Sequence, residues 1–362
     1  MKQSERSYNR VVVKIGSSLF FRKLEPRGID LDFGILHGII QQVIGLVNDG
    51  KEVVLVSSGA IALGMSLLKT TSRPKELSRL QAMAAVGQHE LMDVYRQLFK
   101  KNKLNCAQVL LTYDDFNDRG RYLNARNTLF TLLKLNIVPV VNENDTVSTE
   151  EIKFGDNDKL SALVASLISA DLLVILSDVD GLLDTNKKVV KVVSRINQQI
   201  KSLACPTSKA TCVGGMITKL DAAKIAVDSG IACVIANGHK AGVITEIAND
   251  PGSNGTLFIA EKRLDERQRW LAFGTKAKGK VAIDEGAKRA LLNKKSLLSV
   301  GITAAEGAFE CGDIVSITDK EGNEFGRGKI CLSCRQLDKV KGTRTDKEVI
   351  HCDNIVILED KK

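Results

Sequence analysis

Between residues 153 and 159 the chain reads Lys153-Phe154-Gly155-Asp156-Asn157-Asp158-Lys159, and an apolar helical pattern begins at Leu160. Asp156 and Asp158, with Asn157 between them, therefore fall at a helix start, where unpaired backbone N–H groups carry partial positive charge. One Asp there is an ordinary cap, but two within three residues are more than capping requires. Carboxylates placed together repel unless a cation lies between them, and a bound ammonium group, a lysine or Mg2+ would each serve.

Four other loops are suited to phosphate. Lys14-Ile15-Gly16-Ser17-Ser18 and Ser57-Ser58-Gly59-Ala60 each follow an apolar run and combine hydroxyls, glycine and backbone amides, with a lysine in the first. Ser177-Asp178-Val179-Asp180-Gly181 offers polar groups to a ribose or phosphates. Gly214-Gly215-Met216-Ile217-Thr218-Lys219 opens a helix whose apolar face is expected to be Ile217, Leu220, Ala223 and Val227, and its glycines permit an anion nest. Each loop alone reads as a turn, but together with the acidic helix start they point to phosphoryl transfer onto a small acid. No GxxxxGK[ST] or GxGxxG run is present, so neither a P-loop enzyme nor a Rossmann dehydrogenase is supported.

The elements that must position these loops follow from the apolar pattern. Val11–Val13, Val53–Val56, Val109–Leu111, Ile137–Val141, Leu172–Leu176 and Val234–Ala236 are short continuous runs rich in β-branched residues, as expected of strands buried on both faces. Helical patterns lie between them, such as the one with Leu36, Ile40, Val43 and Val47 on one face. This alternation predicts an α/β architecture, a doubly wound and mainly parallel sheet sandwiched by helices. In such a sheet, ligands bind where strands end and helices begin, which is where the loops fall. Pro139 removes a ladder donor and predicts an edge, an end or a bulge. Beyond Phe258 the pattern changes to short strands and glycine-rich turns, such as Asp313–Thr318 and Asn354–Leu358, so a small β-rich domain is expected after a boundary near residues 261 to 275.

Composition is that of a globular protein, with 362 residues, 44% apolar and 26% charged. The net charge of +9 favours an anionic ligand without demanding nucleic acid, since it is spread along the sequence. Residues 275 to 362 carry 17 Lys+Arg against 14 Asp+Glu. No apolar run has the length of a membrane span, and Lys14 and Gly16 break the first one, so a cytoplasmic protein with reduced cysteines is expected. Cys331 and Cys334 have metal-ligand spacing, with His351 and Cys352 downstream. No metal site is assigned, because adjacent residues point to opposite faces if that segment is a strand.

The loops, with Leu123-Asn124-Ala125-Arg126, Val141-Asn142-Glu143-Asn144-Asp145 and Phe154-Gly155-Asp156-Asn157-Asp158, resemble the glutamate 5-kinase branch of the amino acid kinase family, in order and over nearly the whole chain. Ile283-Asp284-Glu285-Gly286-Ala287, Gly307-Ala308-Phe309 and Gly326-Arg327-Gly328 are similar to motifs of its PUA domain. The resemblance implies a kinase domain over residues 1–262, a linker at 263–275 and a PUA domain at 276–362. It implies ATP-dependent, Mg2+-assisted phosphorylation of the side-chain carboxylate of L-glutamate, the first step of proline synthesis. By the same carry-over Lys14 and Lys219 neutralise the transferring group and Asp158 holds them. Ser58, Asp145 and Asn157 bind glutamate. Lys14, Ser177, Asp178, Val213, Gly214, Gly215, Met216, Ile217, Thr218 and Lys219 bind ATP. Val213 stands where that family usually has Thr, and Leu183 where Tyr is common.

The resemblance further implies a homo-oligomer, feedback inhibition by proline and transfer of product to glutamyl phosphate reductase. RNA binding by the PUA-like part stays open. Two other readings are open: another amino acid kinase, acting on aspartate or uridylate, and an RNA-binding protein on an inactive kinase scaffold. The small positive surplus in the last part of the chain disfavours the second.

Overall fold

The computed structural model describes residues 8–19, 21–24, 28–70, 72–147, 157–204, 215–260, 264–275, 277–344 and 348–358. They form two compact units, one of residues 1–115 and 123–263, the other of 116–122 and 264–362.

The first unit is built on an eight-stranded sheet. Its strands are β1 (Arg10–Ile15), β4 (Glu52–Val56), β5 (Asn105–Leu111), β6 (Ile137–Glu143), β7 (Leu172–Ser177), β8 (Val192–Val193), β9 (Ala232–Asn237) and β10 (Thr256–Phe258), with β2 (Phe21–Leu24) and β3 (Gly28–Leu31) forming a separate hairpin. The order is β5-β6-β4-β1-β7-β9-β10-β8, parallel from β5 to β9, with β10 antiparallel to β9 and parallel to β8. All six runs expected to be strands are in this sheet. Pro139 is in β6, one strand in from the edge, and β4 takes up pairing with β6 only from Val140, so the missing donor falls before that ladder begins.

The strand alternation sorts the two faces of the sheet. Val11, Val13 and Ile15 of β1 pack with Leu36, Ile40, Val43 and Val47 of α1 (Phe33–Asn48) and with Leu91, Tyr95 and Phe99 of α3 (Leu77–Lys100). On the opposite face α6 (Asn157–Leu167) lies against β1 and β7, and α8 (Met216–Asp228) lies beside α6. Lys14 shares that face. Helix α1 is capped by Asp32, whose carboxylate accepts from the Gly34 and Ile35 N–H groups.

Helix α2 (Ala60–Leu67) and α3 meet with no room for a side chain: a Cβ on Gly87 would lie 1.8 Å from the Ala60 carbonyl oxygen. The remaining helices here are α7 (Gln198–Leu203) and α9 (Val243–Asn249), with α4 (Tyr113–Asn117) and α5 (Arg119–Lys134) apart from their residues within 116–122, which belong to the second unit. Among the described residues no helix is long and apolar enough to cross a membrane.

The second unit contains β11 (Gly279–Ile283), β13 (Ile302–Gly307), β14 (Ile314–Thr318), β15 (Glu324–Lys329) and β17 (Ile355–Ile357) in the order β13-β11-β14-β15-β17, with a pair β12 (Leu297–Leu298) and β16 (Glu348–Ile350). Val281, Val315, Ile317 and Phe325 form its core with Leu291 of α11 (Glu285–Leu292) and Leu337 of α12 (Cys334–Val340). Residues 264–275, which include α10 (Glu266–Arg269), join it through Leu271 and Ala272 against Ile314 and Val356, and Trp270 Nε1 donates to the Phe116 carbonyl at 3.2 Å.

Candidate active site

The C-terminal ends of β1, β4, β6 and β7 gather the chemistry. Lys14, the fifth residue of β1, points to the α6 side, where its Nζ lies 2.5 Å from Asp158 Oδ1. Lys219 reaches the other oxygen of the same carboxylate, Nζ to Oδ2 at 3.2 Å, and donates to the Gly215 carbonyl at 3.3 Å. Thr218 Oγ1 also donates to Asp158 Oδ2, at 3.2 Å. All three charged side chains are almost wholly enclosed. Burial alone would raise the Asp158 carboxyl, but the two ammonium groups and their hydrogen bonds outweigh it and hold the group below the ordinary carboxylate range.

Local structure explains each placement. All of α6 except Lys159 is buried, which carries Asn157 and Asp158 inward with its first turn. On α8 the buried face is Lys219, Leu220, Ala222, Ala223 and Ala226, rotated from the expected Ile217, Leu220, Ala223 and Val227. Small alanines let α8 approach α6, and the rotation turns Lys219 toward Asp158 instead of toward solvent. Gly215 caps α8 at φ +96, a conformation that a side chain would strain.

A second cluster adjoins the first. Asn157 Nδ2 faces three oxygens: the Ser57 carbonyl at 2.6 Å, Asn142 Oδ1 at 2.8 Å and Ser58 Oγ at 3.2 Å. Ser57 is held from behind by a 2.8 Å hydroxyl contact with Tyr95, whose phenol burial pushes its pKa up, so it stays neutral. The third cluster joins β1 to β7: Ser177 and Ser18 hydroxyls both donate to Asp178 Oδ1, at 3.0 and 3.3 Å. Burial acts to raise the Asp178 carboxyl, but these bonds and the charge of Lys219 leave it lowered.

The structure thus brings together Lys14, Asp158 and Lys219, sets Ser58 on Asn157, and sets Ser177 on Asp178. Met216, Ile217 and Thr218 form the first turn of α8. Asp145 lies in the turn after β6, and among the described residues no hydrogen bond or ion pair joins it to Ser58 or Asn157. Its carboxyl is pushed up to about 6 by burial, with Arg73 pulling the other way. Asp156, Val213 and Gly214 lie outside the described residues.

Three participants were not singled out from the sequence. Asn142 stands in the sequence only as part of a motif, and Tyr95 and Gln88 belong to none of the motifs. The available signal was Gln88 itself, a polar residue on the otherwise apolar stripe Ala84, Leu91 and Tyr95 of α3.

His351 and Cys352 do not lie in a strand, so the condition under which they would point to opposite faces is not met. Strand β16 ends at Ile350, and a tight turn over Cys352–Asn354 follows, so one ligand atom each of His351, Cys352 and Asp353 lie within 4.8 Å of one another. The His351 Nδ1 is occupied there, accepting from the Asp353 N–H at 3.2 Å. The described cysteines, Cys331 and Cys334 among them, are free thiols.

Comparison with known proteins agrees over both units. Residues 9–237 match the amino acid kinase family and residues 279–352 match the PUA domain. Among curated relatives, the glutamate 5-kinase of Caldanaerobacter subterraneus subsp. tengcongensis is 42% identical, covering 97% of this chain and 98% of that one. Those of Nitrosospira multiformis and Methylococcus capsulatus are 43% and 44% identical, covering 99% of both chains and 96% and 97% respectively.

Proposed function

The chain belongs to the amino acid kinase family, among its glutamate 5-kinases, and from that premise we propose that it transfers the terminal phosphoryl group of ATP to the side-chain carboxylate of L-glutamate. The observation that carries the chemistry is the buried triad in which one carboxylate, Asp158, holds two ammonium groups, 2.5 Å and 3.2 Å away.

The nucleophile, a carboxylate, is ionised at neutral pH, so no general base is needed and catalysis is alignment and charge stabilisation. Each lysine has three N–H donors. Lys219 spends two on Asp158 and Gly215, leaving one for a phosphoryl oxygen. Lys14, at the strand end, is directed from the opposite side. Asp158 keeps both charged and fixed in place, so little reorganisation is needed as negative charge develops. Asn157 and Ser58 bind the amino acid, and Asp145 pairs with its ammonium group. That ammonium explains why acidic residues line a site for an acidic substrate. Ser177, Asp178 and residues 213–219 bind ATP.

Asp158 has both oxygens engaged by ammonium groups and is not a metal ligand in this reading. Bound with the phosphates of ATP, Mg2+ would supply further neutralisation beside that of Lys14 and Lys219. Residues 1–262 are the catalytic part, 263–275 the connection and 276–362 the PUA part. The same reading makes this the first step of proline synthesis in the cytoplasm. It also carries proline as feedback inhibitor, a homo-oligomer and delivery of the acyl phosphate to a glutamyl phosphate reductase.

The direct test is ADP release with Mg2+ and hydroxylamine, which traps an acyl phosphate as hydroxamate. Glutamate-dependent hydroxamate is expected. Preference for aspartate or uridylate would overturn the substrate assignment.

A further inference from the structure

The geometry points to Gln88 as a positioning residue that fixes the amide orientations of Asn142 and Asn157, and through them the acceptor presented to the substrate's ammonium group. This rests on the substrate reading above.

The argument follows the donors and acceptors. Asn157 must turn Nδ2 toward the Ser57 carbonyl, because that oxygen can only accept, and its Oδ1 is thereby directed to the other side of the amide. Asn142 must turn Oδ1 toward Asn157, because the same oxygen also takes the Glu143 N–H at 2.9 Å. The Asn142 Nδ2 is then driven toward α3, into a buried setting where a donor without a partner is costly. Gln88 Oε1 meets it at 2.7 Å.

The other end of Gln88 supports this. Its Nε2 is enclosed and has no hydrogen-bond partner among the described residues. An enclosed amide that leaves one end unpaired is costly relative to an apolar side chain, so packing does not account for a glutamine here, whereas its acceptor function does. The same face of α3 supplies Tyr95 to Ser57, seven residues on. One helix thus braces the Ser57-Ser58 loop and the Asn142-Asn157 pair from behind, through two polar side chains that are themselves enclosed.

The test uses the full chain with Gln88→Met, which keeps length but removes the acceptor, and Gln88→Glu, which keeps an acceptor. The Met variant is expected to raise KM for glutamate about tenfold while KM for ATP stays within about twofold, and the Glu variant to recover most of the loss. An unchanged KM for glutamate, an equal rise in both KM values, or a Glu variant as impaired as the Met variant would each overturn the assignment. If Gln88→Met melts below the assay temperature, all the proteins are assayed at a temperature below its melting point, with the same split expected and the same outcomes opposed to it. Wild-type hydroxamate formation in the same assay separates a failed substrate reading from a failed role for Gln88.

Discussion

Lys14 Nζ lies 2.5 Å from Asp158 Oδ1 in an ion pair that is almost fully removed from water, the two side chains being 8% and 3% exposed. A buried pair of this kind stabilises little on net, because desolvating both charges cancels most of their attraction. Removing one partner is another matter, since the survivor is left buried and uncompensated. The arrangement is therefore best understood as holding charge in place for chemistry.

Lys14→Ala and Lys219→Ala are each expected to lower kcat by on the order of 10²-fold or more, through loss of a preorganised charge on the transferring group. Steady-state kinetics on the folded variants check this. Unchanged turnover would remove that lysine from the mechanism.

Asp158→Asn should impair both activity and stability, the latter by about 3–5 kcal/mol at neutral pH, the range for breaking a buried pair. The sign of the pH dependence follows from the lowered carboxyl. A depressed folded-state pKa contributes stability that is fully present above the unfolded Asp value of about 4 and lost as pH falls through the folded value. Denaturant melts of both proteins should therefore differ most near pH 7 and converge only below about pH 4. A gap that closed between pH 7 and 5 would contradict the assignment.

Asp145 should give glutamate binding its pH dependence. Its carboxyl is pushed up to about 6, so it loses its charge as pH falls through that value, and with it the attraction for an ammonium group. KM for glutamate is expected to rise between pH 7 and 5 while KM for ATP does not follow. Asp145→Asn should have a high glutamate KM throughout, with this dependence flattened. A dependence that survives in the variant would belong to another group.

Gly87→Ala tests the seating of α3. The new methyl would be placed 1.8 Å from the Ala60 carbonyl oxygen and 2.4 Å from the Gly64 nitrogen, both backbone atoms. Helix α3 must shift, at a cost of about 1–3 kcal/mol or more. A lower melting temperature together with a raised KM for glutamate is expected, because the shift carries Gln88 and Tyr95 with it. A variant as stable as the parent would show that the two helices can part freely.

Much of this protein was legible in its sequence, because the signals were local. Val11–Val13 and Leu172–Leu176 are short continuous β-branched or aliphatic runs, which suit strands covered on both faces, and Leu36, Ile40, Val43 and Val47 repeat at helical spacing. Lysines and carboxylates at strand ends and helix starts likewise declared themselves by type and position. Type and position alone do not say which of them meet: the family resemblance implied the Lys14, Asp158 and Lys219 grouping, and the tertiary structure supplies its physical cause. Asp158 finds Lys14 and Lys219 because the alternation of β1 and the rotation of α8 aim both at one helix start, and rotation about a helix axis is set by packing against neighbours rather than by the helix's own residues. Gln88 and Asn142 lie 54 residues apart, and residues 116–122 join a unit otherwise formed after residue 263. No local pattern encodes such contacts, because a hydrogen bond between distant residues leaves no periodicity in either segment.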